Sequence, residues 1–231
     1  LKQLRPTWAP SEIKSALAMT AQRTMLREDG TTPAIPFDMG GGRIRVNVAA
    51  NAGLVMNESM ANYQAANPAT GGDPATLNLP SMARRSCAGQ CQFTRTFRST
   101  LSQEKTWDAS VETLNGTVSP SNFTVPAGGT VTLTITIDTT GIAANSPFKF
   151  GRVEIRPETG PADGLLSLPV VVAVPPSGVS VGDATVNEGG PTGQRAFGDQ
   201  PSGEDTIDFL VSLSAPSSQT VTVRVSTNGI T

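Results

Sequence analysis

Residues 130–138 read TVTLTITID, with Val131, Leu133, Ile135 and Ile137 alternating strictly with threonine and aspartate. A period of two puts one row of side chains in a core and the other in water, which predicts a strand with one covered face. β-Branched residues occupy both rows, and they suit a pleated surface better than a helix. Five comparable runs surround this one. Residues 92–98 set Phe93 and Phe97 on one side, and residues 105–112 do the same with Trp107, Ala109 and Val111. Residues 122–125 contribute Phe123 and Val125, and residues 147–155 contribute Phe148, Phe150, Val153 and Ile155. Residues 165–174 are apolar almost throughout, as in a strand covered on both faces. Phe150 and Val153 fall out of phase across Gly151, which predicts a bulge there.

Turn signals separate the runs: Asn115-Gly116, Pro126-Ala127-Gly128-Gly129 and Thr159-Gly160-Pro161. Several short strands at this spacing predict a mainly β fold, an antiparallel sandwich of the immunoglobulin or fibronectin III type. A sandwich is a scaffold, so function has to come from particular sites.

The chain has 231 residues and a formal net charge of −2, without a basic block or interleaved aromatic and basic residues. Nucleic acid is not an expected partner. No apolar run reaches membrane-spanning length. The first residues lack a charged-then-apolar targeting pattern, so Leu1 reads as the middle of a longer chain with any export signal upstream. The chain contains no histidine. Neither a Ser-His-Asp nor a Cys-His arrangement can be assembled from it, nor a histidine-ligated zinc site. Ser-Lys and paired-carboxylate chemistry stay formally open, yet lysines are scarce and the carboxylates are scattered through loops. No catalytic residue is expected within the chain.

Before the strands, Pro10 opens a helical pattern in which Ile13, Ala16, Leu17 and residues 19–21 recur at helical spacing. Proline suits the first helical position, whereas Ala9 is a poor cap. Gly30, Pro33 and Pro36 break the pattern, and Gly40-Gly41-Gly42 follows. Without GK[ST], those glycines predict a tight backbone passage against other protein in preference to a phosphate cradle. Residues 45–52 are expected to form one or two helical turns ending at Gly53.

RPTWAPSEIKSALAMTA and FDMGGGRIRVNVAANAGLV together resemble the last part of the catalytic domain of subtilisin-like serine peptidases. The matching residues are Pro6, Trp8, Pro10, Ile13, Lys14, Ser15, Ala16, Leu17, Thr20 and Ala21, then Phe37, Asp38, Gly40, Gly42, Ala49, Gly53, Leu54 and Val55. Ala9 replaces a usual serine, and Asn51-Ala52 replaces a common Asp-Pro. The resemblance implies that the catalytic Asp, His and Ser lie before Leu1. It also makes residues 1–57 a remnant of that domain and Leu1–Gln3 the tail of the helix that begins at the serine. LNLPSM, FTRTFRST, WDASVETLNGTVSPSNFTVPAGGTVTLTITI and FKFGRVEI resemble the fibronectin III-like domain that follows the catalytic domain in many such peptidases. The expected organisation is therefore a linker at 58–75, a sandwich at 76–175 and a further module at 179–231.

Cys87 and Cys91 are the only cysteines. Without histidine or further cysteine they make a poor metal site, and the spacing is not CxxC. A disulfide between them requires Ala88-Gly89-Gln90 to turn, because a straight strand would hold the pair about 13 Å apart. A structural disulfide in an exported protein is the favoured reading. The last segment restores the period of two through Ile207, Phe209, Val211 and Leu213, then Val221, Val223 and Val225. It resembles the first half of a Calx-β module, an incomplete second sandwich, and places Glu188 where that family often has a calcium ligand. A solvated turn carboxylate is the plainer reading of Glu188.

Two functions follow as expectations. One is a non-catalytic C-terminal segment of a secreted subtilisin-like endopeptidase, partnered by its upstream catalytic domain and, through it, by protein substrates. The other is a surface adhesion module of tandem β domains, with calcium as its one candidate cofactor. Residues 1–57 carry apolar positions such as Ile13, Leu17 and Leu54, which must pack on the sandwich, associate with a second copy or stay mobile.

Overall fold

The alternation at 130–138 becomes the centre of a four-stranded sheet in the computed structural model, which describes residues 1–160, 164–176, 179–181, 211–213 and 222. Its order is β1 (Leu54–Val55), β3 (Gln90–Ser99), β7 (Thr130–Asp138), β5 (Gly116–Ser119). A five-stranded sheet faces it, in the order β2 (Met82–Arg84), β9 (Leu166–Val172), β8 (Lys149–Pro157), β4 (Lys105–Glu112), β6 (Asn122–Val125). Antiparallel pairing sets Phe93 opposite Ile135 and Cys91 opposite Ile137, so the inward rows of β3 and β7 coincide. From the other sheet Trp107, Ile155, Leu166, Leu168 and Val170 close the core. Each fully buried side chain of this kind contributes about 1.5–3 kcal/mol relative to exposure.

The bulge expected at Gly151 is absent. β8 pairs with β9 without a break from Lys149↔Val172 to Ile155↔Leu166. Phe150 and Val153 are out of phase because they serve opposite faces: Val153 is buried in the core, while Phe150 shares the outer face with Arg152. Glycine is needed at 151 for another reason. A Cβ there would lie 2.7 Å from Leu114 Cγ and 2.8 Å from the Glu112 carbonyl oxygen. One pairing is parallel, β2 with β9, and it begins only at Val170. Pro169 therefore sits just before that ladder, where its missing N–H leaves no gap.

The sandwich does not stand alone. Residues 1–175 form one compact unit. In it, α1 (Pro10–Met19), α2 (Pro36–Met39), α3 (Val46–Ala49) and β1 come from the N-terminal segment. The 58–75 stretch carries a further short helix, α4 (Met60–Ala65), capped by Ser59 Oγ accepting from the Asn62 amide at 3.1 Å. Residues 176–231 form a second unit, in which β10 (Val179–Val181) pairs antiparallel with β11 (Val211–Leu213). Glu188 and residues 221, 223 and 225 lie outside the described residues.

Candidate functional site

The chemistry of this chain concentrates where the N-terminal segment meets the sandwich. α1 begins on Ala9, which has no side chain to cap with. Glu12, at the third helical position, reaches back instead and accepts from the Ala9 amide at 2.9 Å. The same carboxylate accepts from Arg98 Nε of β3 at 2.7 Å and is itself buried. Burial alone would raise its pKa. The Arg98 hydrogen bond, the Ala9 amide and the Arg98 charge outweigh that and lower it. One turn on, Ser15 Oγ donates to the Glu12 carbonyl at 2.8 Å and accepts from the Met56 amide at 2.8 Å. That bond steers the chain into β1, which pairs antiparallel with β3 through Leu54↔Ser99 and Val55↔Arg98. Gly53, just before β1, lies against the Trp107 indole, where a Cβ would come within 2.7 Å of the ring.

A second attachment covers the outer face of the five-stranded sheet. Residues 22 and 43 pair across a β-bridge, and the strap between them folds over β8 and β9. Gly42 makes the bridge possible: its φ is +116°, and a Cβ would sit 2.1 Å from the Gln22 carbonyl oxygen. The glycine run is thus a close passage of backbone against backbone. Below the strap, Glu154 projects from the outer face of β8 yet is buried. It accepts from Arg23 Nη1 at 2.5 Å and Arg152 Nε at 2.7 Å, and it pairs with Arg156. Arg23 Nη1 also donates to Ser167 Oγ at 3.1 Å. Burial would raise the Glu154 carboxyl, but the hydrogen bonds from Arg23 and Arg152 and the charges of Arg23 and Arg156 hold it at about 2. Phe37 of α2 adds edge-on contacts to Phe148 and Phe150, with ring centroids 5.2 Å apart in each pair.

A third contact fixes the stretch leading into β2. Arg95 is buried inside the sandwich, in the same inward row as Phe93 and Phe97. Its guanidinium donates to the carbonyl oxygens of Leu79 (2.9 Å), Ala75 (3.2 Å), Ser81 (2.9 Å) and Thr94 (2.8 Å). Burial lowers its pKa to about 10, with the Glu58 charge acting the other way. It remains a cation at neutral pH, satisfied by backbone oxygens.

Of the residues singled out from sequence, Cys87 and Cys91 are joined in a disulfide with their Cα atoms 5.4 Å apart. The turn that this requires is centred on Gly89, at φ +75°. The Cys87 amide donates to the Ala173 carbonyl at 2.9 Å, and Thr139 Oγ1 donates to the Cys87 carbonyl at 2.8 Å. The bridge therefore fastens β3 to the ends of β9 and β7, at the rim of both sheets. A ring this short adds about 2 kcal/mol in the loop-entropy picture. Among the described residues no group of three or more Cys, Asp or Glu stands where it could hold a metal. No helix among them is long and apolar enough to cross a membrane.

Sequence reasoning missed Glu12, Arg23, Arg95, Arg98 and Glu154. Arg95 had a signal, because F-T-R-T-F places it in phase with two buried phenylalanines. Glu154 had none, since its cover arrives from residue 23, more than a hundred positions away.

Comparison with known proteins agrees with this layout. Residues 88–171 match the family described as Fn3-like domain. Subtilisin-like protease SBT2.3 of Arabidopsis thaliana is 29% identical over 211 residues, covering 74% of this chain and 24% of that protein. Subtilisin-like protease SBT3.9 of the same plant is 40% identical over 70 residues, covering 27% of this chain and 9% of that protein. Among solved structures, SSP-19, an MSP-domain protein like family member in Caenorhabditis elegans, covers 41% of this chain and 95% of its own at 14% identity and a TM-score of 0.33. The chain thus spans about a quarter of the length of subtilisin-like protease SBT2.3.

Proposed function

We propose, from its Fn3-like domain and its kinship with subtilisin-like proteases, that this chain is the non-catalytic C-terminal part of an exported serine endopeptidase. In that reading the sandwich braces the catalytic domain. The observation that carries it is the pairing of β1 with β3. The segment that resembles the end of a catalytic domain supplies an edge strand to the sandwich, so the two modules share one sheet. A shared sheet, two ion-pair attachments and a covered outer face make the joint rigid, unlike a flexible tether.

The opposite surface of the segment is unfinished. Leu4, Ile44 and Val46 are 68%, 58% and 51% exposed, and Ile13 and Leu17 of α1 line an open groove with Ile44. These apolar positions are where the rest of the catalytic domain would rest. The disulfide fits an oxidising compartment and supports export.

The test is deletion of residues 76–175 from the intact parent. A brace predicts loss of most protease activity, together with a lower thermal midpoint of the catalytic domain. Undiminished activity and an unchanged midpoint would refute it. The chain by itself should not hydrolyse casein, since no histidine is present to act as general base.

A further inference from the structure

The strap over the five-stranded sheet does not fill the space beneath it. A cleft of about 270 Å³ remains between residues 34–41 and the outer face of β8 and β9. Its walls combine Ile35, Met39 and Pro169 with Arg23, Arg152 and Ser167.

The arginines are held in a particular way. Glu154, on the same outer face of β8, takes Arg152 through Nε alone, at 2.7 Å. The two terminal amino groups of Arg152 have no partner among the described residues. Pinning Nε fixes the plane of the guanidinium, so its remaining edge presents a pre-oriented pair of N–H donors. Such an edge matches the two oxygens of a carboxylate. Arg23 is fixed likewise, by Glu154 and Ser167, and adds a second positive charge to the cleft wall.

The acidic neighbours are accounted for. Glu154 is already shared among three arginines, and Glu112, in register with Arg152 on β4, accepts from Ser110 Oγ at 2.8 Å. Neither carboxylate closes the free edge of Arg152. An apolar wall beside a fixed guanidinium fork selects a ligand with one end of each kind.

We propose that this cleft binds a carboxylate carried on a small apolar group, such as the C-terminal residue of a peptide. The apolar group lies against Ile35, Met39 and Pro169, and the carboxylate takes the free edge of Arg152. The site is independent of the protease reading, because it uses only residues of this chain.

The experiment is a titration of the whole chain followed in ¹H–¹⁵N spectra. The probes are N-acetyl-leucine, a tetrapeptide ending in leucine, their C-terminal amides, and sulfate. Both acids are expected to shift the amides of Gly40, Gly41, Arg152 and Ser167 with millimolar affinity. The amides should bind about tenfold more weakly, the loss expected for one charge-assisted contact. If only the tetrapeptide binds, the ligand is a peptide terminus; if both acids bind alike, any apolar carboxylate suffices, and either result supports the site.

Arg152→Gln should weaken the acids by about tenfold while leaving the amides remote from β8 and β9 unchanged. If that variant disturbs the sheet, Arg152→Lys keeps a charge beside Glu154 but loses the fork, and should weaken binding nearly as much. Equal binding of acid and amide, sulfate saturating the same amides at the same concentration, or undiminished binding by both variants would each overturn the proposal.

Discussion

Between β3 and β7 the residues that face one another across the ladder are Phe93 with Ile135 and Cys91 with Ile137. Between α1 and β3 the facing pair is Glu12 with Arg98, and between the strap and β8 it is Arg23 with Glu154. The first set is apolar or disulfide-bonded and does not titrate over ordinary pH. The second consists of buried carboxylates whose stabilising charge exists only when they are ionised. One molecule thus has an interior indifferent to acidity and a joint that depends on it.

The largest effect is expected in the interior. Leu133 is fully buried, and Leu133→Ala removes apolar contact while leaving a cavity. The cost should be about 2–5 kcal/mol by urea unfolding, and it should be the same at neutral pH and at a pH of about 3, inside the window where Glu154 loses its charge. A cost that changed with pH over that range would mean that the packing around Leu133 itself depends on the titrating joint, breaking the contrast.

Glu154→Gln comes next. The variant keeps the shape and leaves three guanidinium groups without their shared anion. Loss of charge-assisted hydrogen bonds predicts roughly 1.5–3 kcal/mol at neutral pH. The sign of the pH dependence follows from the depressed folded pKa. The native carboxyl titrates at about 2 against an ordinary 4.5, so its contribution is complete above 4.5 and is lost as pH falls toward 2. The gap between wild type and variant should therefore narrow over that window. A gap that stays constant down to pH 2 would show that it does not arise from the charge of Glu154.

The same contrast explains what the sequence makes legible. Alternation over 130–138, 92–98 and 105–112 marks three of the central strands, because a row buried against a facing sheet is apolar at most of its positions, Arg95 in β3 being the exception. The apolar run at 165–174 marks β9 for the complementary reason: the strap and α1 cover its second face, and it shows no alternation. β1 is two residues long and β5 four, too short for any period to declare itself. β2 is three residues long and paired in parallel, so although it falls inside the sandwich expected at 76–175, no period marks it as a strand. The phase change at Gly151 pointed to a bulge because the strap was not foreseen; once an outer layer exists, Phe150 has an apolar place to go in Phe37. The glycine passage at 40–42 was legible from composition alone, since only a missing Cβ tolerates Gln22 and Ala18 so close. The joint was not, because Glu12–Arg98 and Arg23–Glu154 join residues far apart in the chain, and a single sequence carries no trace of such pairings.

The smallest effect separates two duties of one carboxylate. Glu12 holds the first turn of α1 through the Ala9 amide and ties the helix to β3 through Arg98. Glu12→Gln leaves one acceptor oxygen for the two donors and removes the charge, so about 1 kcal/mol should be lost at neutral pH. Its folded pKa is lowered, so this loss too should fade as pH falls below the ordinary carboxyl range. Repeating the substitution in an Arg98→Met background isolates the cap. If the tie to β3 is the main duty, the cost of Glu12→Gln should then drop to the few tenths of a kcal/mol typical of a charge near a helix N-terminus. If the cost is unchanged without Arg98, Glu12 is a helix cap only, and the joint rests on β1 and the Arg23–Glu154 attachment.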